Sequence, residues 1–95
     1  MTNKVGDFLD AYQLHIDMQS RYIDFMSEAG RLGKTILDAT DYGLHSAEPT
    51  DAFRKQAGET LFALEALLSE SGINPEEILE EILADYRSRM EEYPG

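Results

Sequence analysis

Two apolar periodicities separated by a run of turn residues constrain this chain more than anything else in it. From Arg21 to Ala39, the residues Tyr22, Ile23, Phe25, Met26, Ala29, Leu32, Ile36 and Leu37 return at intervals of three and four, the spacing of an amphipathic helix. From Ala52 onward Phe53, Ala57, Leu61, Leu64 and Leu68 do the same, with Phe62 and Leu67 widening the apolar face. Between the two runs stand Asp41, Tyr42, Gly43, Ser46, Glu48 and Pro49, which break helices and favour turns. An antiparallel hairpin about the Asp41–Thr50 connection puts Glu28 level with Glu59 and Arg31 level with Gln56, because the residue numbers of each pair sum to 87. Residues three apart share a helix face, so these four polar side chains are expected to converge on one patch.

The flanking segments read as two further helices. Thr2 or Asn3 can cap a first helix whose stripe is Val5, Phe8, Leu9, Tyr12 and Ile16, with Gly6 weakening its first turn. The stripe changes phase around Asp17–Ser20, which is either a break capped by Asp17 or Ser20 or a kink in one continuous helix. Thr50 or Asp51 can cap the third helix, and Gly72 is placed to end it in the left-handed conformation. Asn74-Pro75-Glu76-Glu77 carries a capping residue, a proline in the first helical position and a glutamate three residues after the cap. The fourth helix follows through Ile78, Ile82, Leu83 and Tyr86 to about Glu92, with Arg87 and Arg89 near its negative end, and Pro94-Gly95 close the sequence. The expected fold is all-α, a four-helix antiparallel bundle in a single domain.

Composition narrows the partners. With 19 acidic against 8 basic residues, the 95-residue chain carries a net charge of −11. Phosphate backbones and anionic bilayers both call for a basic footprint, so neither nucleic acid nor membrane is expected as a partner. No cysteine is present to form a disulfide or a thiolate site. Asp7 and Asp10 interrupt the region where a secretory signal needs an apolar core, so a cytoplasmic location is expected. A chain of this size buries only roughly 60–65% of its unfolded surface, so assembly with a second copy is expected to supplement the core. His15 and His45 have no second histidine or cysteine at ligand spacing, and no Glu-x-x-His occurs.

Taken together, Arg21-Tyr-Ile-Asp-Phe-Met-Ser-Glu-Ala-Gly30, Leu32, Lys34, Ala39-Thr-Asp-Tyr-Gly43, Gly58-Glu-Thr-Leu-Phe-Ala-Leu64, Gly72-Ile-Asn-Pro-Glu-Glu-Ile-Leu-Glu-Glu81 and Tyr86-Arg87 resemble the MazG-like branch of the all-α nucleoside triphosphate pyrophosphohydrolases. The resemblance spans about residues 21–89. It implies a homodimer or homo-tetramer of helical bundles that cleaves nucleoside triphosphates to monophosphates and pyrophosphate. It also implies Mg²⁺ held by Glu-x-x-Glu on one helix and Glu-x-x-Asp on the next. On that pattern Glu28 and Glu59 are the expected catalytic and metal-binding carboxylates, with Asp24 as an added ligand. Lys34, with the basic pair Arg54 and Lys55 at the start of the third helix, is positioned to grip the phosphates of a nucleotide.

The pattern loses a carboxylate at two positions and changes a third. Arg31 takes the place of the second Glu and Gln56 that of the third carboxylate, and Glu59 stands where Asp is usual. Mg²⁺ takes oxygen ligands, usually carboxylates, waters and substrate phosphates, and works by neutralising phosphate charge. Glu28, Arg31, Gln56 and Glu59 together carry a net charge of only −1. Opposite charges at roughly 4 Å and an effective dielectric near 20 attract by about 4 kcal/mol before desolvation, so Arg31 bridging Glu28 and Glu59 can stand in for a metal. Two readings follow: a pyrophosphohydrolase with an altered site, or a non-catalytic binding or assembly module in which Arg31 replaces the metal.

Overall fold

The computed structural model describes residues 3–92, and among them it contains four α-helices and no strand. They are α1 (Lys4–Tyr12), α2 (Met18–Ala39), α3 (Asp51–Glu70) and α4 (Pro75–Glu92). Each boundary has a local cause. Asn3 caps α1 by accepting from the Gly6 amide at 3.0 Å, whereas Thr2, the other candidate, lies outside the described residues, as do Pro94 and Gly95. Gln13 then turns left-handed at φ 54° and stops the helix. The phase change is therefore a true break, a few residues earlier than Asp17–Ser20, and it leaves Ile16 in the connection rather than on the α1 stripe. Asp17 caps α2 through the Ser20 amide at 2.8 Å.

At the far end of α2 the chain takes three successive left-handed residues, Asp41, Tyr42 and Gly43. The Thr40 hydroxyl accepts from the Gly43 amide at 3.0 Å, and the Tyr42 amide donates back to the Leu37 carbonyl at 2.7 Å. Thr50 caps α3 through the Phe53 amide at 3.0 Å. Past Glu70 the chain reverses through a Schellman motif. The Ile73 amide reaches the Leu68 carbonyl at 2.9 Å, the Gly72 amide reaches Ser69 at 3.1 Å, and Gly72 adopts φ 72°. Asn74 caps α4 by accepting from the Glu76 amide at 2.9 Å.

The central element is α3, which packs against both α2 and α1. Ala63 and Ala66 of α3 and Leu9 of α1 are fully buried. Phe8 meets Phe62 edge-on at 5.8 Å between ring centres. Gly6 is part of this seam: a Cβ there would lie 3.0 Å from the Ser69 hydroxyl, so glycine admits α1 close to α3 as well as weakening its first turn.

The expected fourfold closure is reached only in part. Helix α4 buries none of its residues, and its apolar stripe is bordered by seven carboxylates, which makes it narrow. The Cα radius of gyration is 16.8 Å, against about 12 Å for a compact domain of this length. Among the described residues no helix is long and apolar enough to cross a membrane. Replacing Gly72 by alanine is expected to lower the unfolding free energy by about 1 kcal/mol, and Gly72→Asn by less, because Gly72 sits at φ 72°, where a Cβ is strained and asparagine is tolerated better than alanine. Urea titration of the three proteins measures both values.

Candidate functional site

Halfway along the α2–α3 seam the polar patch forms around Glu28. At 9% exposure Glu28 is buried, which is unusual for a carboxylate without partners. It has them on both oxygens. Arg31 Nη1 donates to Oε1 from one helical turn away, and Gln56 Nε2 donates to Oε2 across the seam at 2.6 Å. The same Gln56 amide reaches the Glu28 main-chain carbonyl at 3.2 Å. The Thr60 hydroxyl stands 3.2 Å from that carbonyl and donates to the Gln56 carbonyl at 2.8 Å. Helix α2 is thereby held antiparallel to α3, with Glu28 between Gln56 and Thr60 rather than with Arg31 meeting Gln56 as the spacing suggested.

Beside the patch lies a cleft of about 550 Å³ lined by Asp24, Glu28, Lys55, Gly58, Glu59 and Phe62. That volume falls in the range of small-molecule sites. Four of the residues singled out from the sequence, Asp24, Glu28, Lys55 and Glu59, therefore share one surface. The others do not line it. Lys34 pairs with Asp38 at 3.2 Å, donates to the Tyr42 hydroxyl and lies 4.6 Å from the Tyr42 ring centre, and these two partners hold its ammonium above the ordinary lysine value. Arg54 is exposed on the first turns of α3.

Among the described residues no three His, Asp or Glu side chains are grouped closely enough to share an ion. The best-placed carboxylate, Glu28, already has a guanidinium on one oxygen and an amide on the other, and a cation there would have to displace both. The expected bridge by Arg31 forms on one side only. Its ion pair is with Glu28, and the second partner of Glu28 is Gln56 rather than a shared contact with Glu59. Arg31 and Gln56 are thus the two side chains that satisfy the Glu28 carboxylate. Thr60, which completes the patch, carries no sequence signal beyond lying one turn after Gln56.

A second polar cluster escaped the reading of the sequence, where His15 looked isolated. Its Nε2 lies 2.5 Å from Asp10 Oδ1 of α1, and its Nδ1 contacts Glu70 Oε1 at the end of α3. The other Glu70 oxygen accepts from the Ile16 amide at 2.5 Å, with Arg21 Nε at 3.7 Å. The available signal was register: the rule that pairs Glu28 with Glu59 sets Glu70 opposite Asp17, two residues from His15.

Comparison of the chain with family models, with curated proteins and with solved structures finds no match in any of the three.

A charge at position 56 tests how much the patch depends on its neutral amide. Gln56→Glu sets two carboxylates against each other, which raises the pKa of the pair in the folded state. A raised carboxyl contributes stability at low pH and loses it as pH rises through the folded value. The variant is expected to be about 1–3 kcal/mol less stable than wild type at neutral pH and to recover part of the difference near pH 4–5, as read by denaturant unfolding at both pH values.

Proposed function

We propose that this protein is a non-catalytic, self-associating helical module built on a MazG-like hairpin, with Arg31 in the place of a metal ion. The observation that carries the reading is the full engagement of the Glu28 carboxylate by Arg31 and Gln56. A working site of the family type needs that carboxylate free to bind Mg²⁺, and freeing it means displacing both the exposed Arg31 guanidinium and the part-buried Gln56 amide. Self-association draws on the apolar surface. Among the described residues the fully buried apolar ones are Leu9, Ala63 and Ala66, while Leu61, Ile78, Leu79, Ile82 and Tyr86 are exposed along α3 and α4. A second copy covering those faces would supply the burial that one chain lacks.

A second reading, a nucleoside triphosphate pyrophosphohydrolase with an altered site, draws on the cleft shared by Asp24, Lys55 and Glu59, where a nucleotide could meet one ammonium and two carboxylates. Pyrophosphate release from a panel of nucleoside triphosphates, with and without Mg²⁺, separates the two. Wild type is expected to be silent, and Arg31→Glu combined with Gln56→Glu is expected to gain Mg²⁺ binding by calorimetry. Mg²⁺-dependent release by wild type would establish the second reading instead.

A further inference from the structure

The cluster around His15 ties α1, whose contact with α3 is narrow, to α2 and α3. Asp10 belongs to α1, Glu70 to α3, Arg21 to α2, and His15 itself to the connection between α1 and α2. The connection contributes the Ile16 amide to Glu70 and the Leu14 carbonyl to Arg21 Nη2, while the carboxylate of Asp17 is turned away to Ser20. Asp10, Glu70 and Arg21 together carry a charge of −1, which a protonated His15 brings to zero. The Glu70 side chain is only 6% exposed and Arg21 Nε, at 3.7 Å, is beyond hydrogen-bond distance, so Glu70 relies on His15 and the Ile16 amide.

A histidine that contacts carboxylates through both ring nitrogens can donate to both only as imidazolium, because the neutral ring has one N–H. We infer that His15 is a proton-operated latch that holds α1 against the carboxyl-terminal end of α3. Losing the proton turns one nitrogen into a lone pair facing a carboxylate. Whichever carboxylate that is, the continuous link from α1 through His15 to α3 is cut. What remains is a nine-residue helix held by Leu9, the Gly6 approach and the Phe8–Phe62 edge contact, too short to persist undocked.

The directions of the titrations agree with this geometry. The hydrogen bond to Asp10, then that to Glu70, raise His15 above its ordinary 6.5, with burial opposing them. Burial by itself would raise Glu70. The hydrogen bonds from His15 and the Ile16 amide, with the charges of His15 and Arg21, outweigh it and hold the carboxyl below its ordinary 4.5. A raised histidine stabilises below its unfolded pKa and loses that contribution as pH rises through its folded one, whereas a lowered carboxyl loses its contribution as pH falls. The latch is therefore closed between the two folded values and opens on the alkaline side as His15 gives up its proton.

The test is NMR on the full chain, following the His15 ring and amide hydrogen exchange corrected for intrinsic rate. From about pH 5.5 to pH 8.5 His15 should titrate above 6.5, and α1 protection should fall by roughly threefold or more while that of the α2–α3 seam holds. Asp10→Asn, at an exposed position, should return the His15 titration toward 6.5 without unfolding the protein, and His15→Gln should remove the pH dependence of α1 protection. Titration of His15 at or below 6.5, an α1 protection that tracks the rest of the molecule, or persistence of the pH dependence in His15→Gln would each overturn the inference.

Discussion

The grip of Gln56 on Glu28 sets the relation between the two long helices, and the rest of the molecule is arranged around that relation. A single side-chain amide holds both the carboxylate and the main-chain carbonyl of Glu28, at 2.6 and 3.2 Å, so α2 cannot slide along α3 without losing both. Once that register is fixed, Glu70 falls beside the start of α2 and can receive His15 and the Ile16 amide. The same register puts Phe53 at the level of Thr35, Ile36 and Ala39, where the connection crosses. A buried carboxylate is tolerable here because each oxygen has a donor, one of them charged.

What this hairpin does not supply is enclosure. Ala63 and Ala66 on α3 are fully buried but bury little area each, and most of the large apolar residues keep a third or more of their surface exposed. Helix α4 is the extreme case. Its start is well determined by Gly72, Asn74 and Pro75, yet none of its residues becomes buried. An eighteen-residue helix in water gains most of its stability from tertiary packing, so an apolar stripe left open on α4 is a surface that wants covering. The excess of carboxylates along it argues against lipid or nucleic acid as the cover. A second copy of the chain is the occupant that the proposed function assigns.

Much of this was legible in residues whose meaning is local or periodic. The three- and four-residue spacing gave both long helices, the numbering rule gave their antiparallel pairing, and Gly72 and Asn74 marked turns that only a few residue types can make. The break before α2 was visible as a phase change but not where it fell, because Gln13 turns left-handed without the glycine that usually announces it. Gly6 read as a weak point and proves to be a point of contact, since close approach is a property of the neighbour, Ser69, and not of the glycine's own segment. His15 was illegible for a similar reason: one of its two partners lies fifty-five residues away, and spacing along one helix cannot reveal it. The openness of α4 had no signal at all, because an apolar stripe looks the same whether its cover comes from the same chain or another.

The most direct measurement is sedimentation equilibrium of the full chain over a wide range of concentration. The account predicts a mass of twice 10.7 kDa or a higher even multiple, persisting into the micromolar range, with Leu79→Glu and Ile82→Glu together shifting the protein to the single-chain mass. A stable, folded species of 10.7 kDa at all concentrations would contradict it, because the open faces of α3 and α4 would then need no cover.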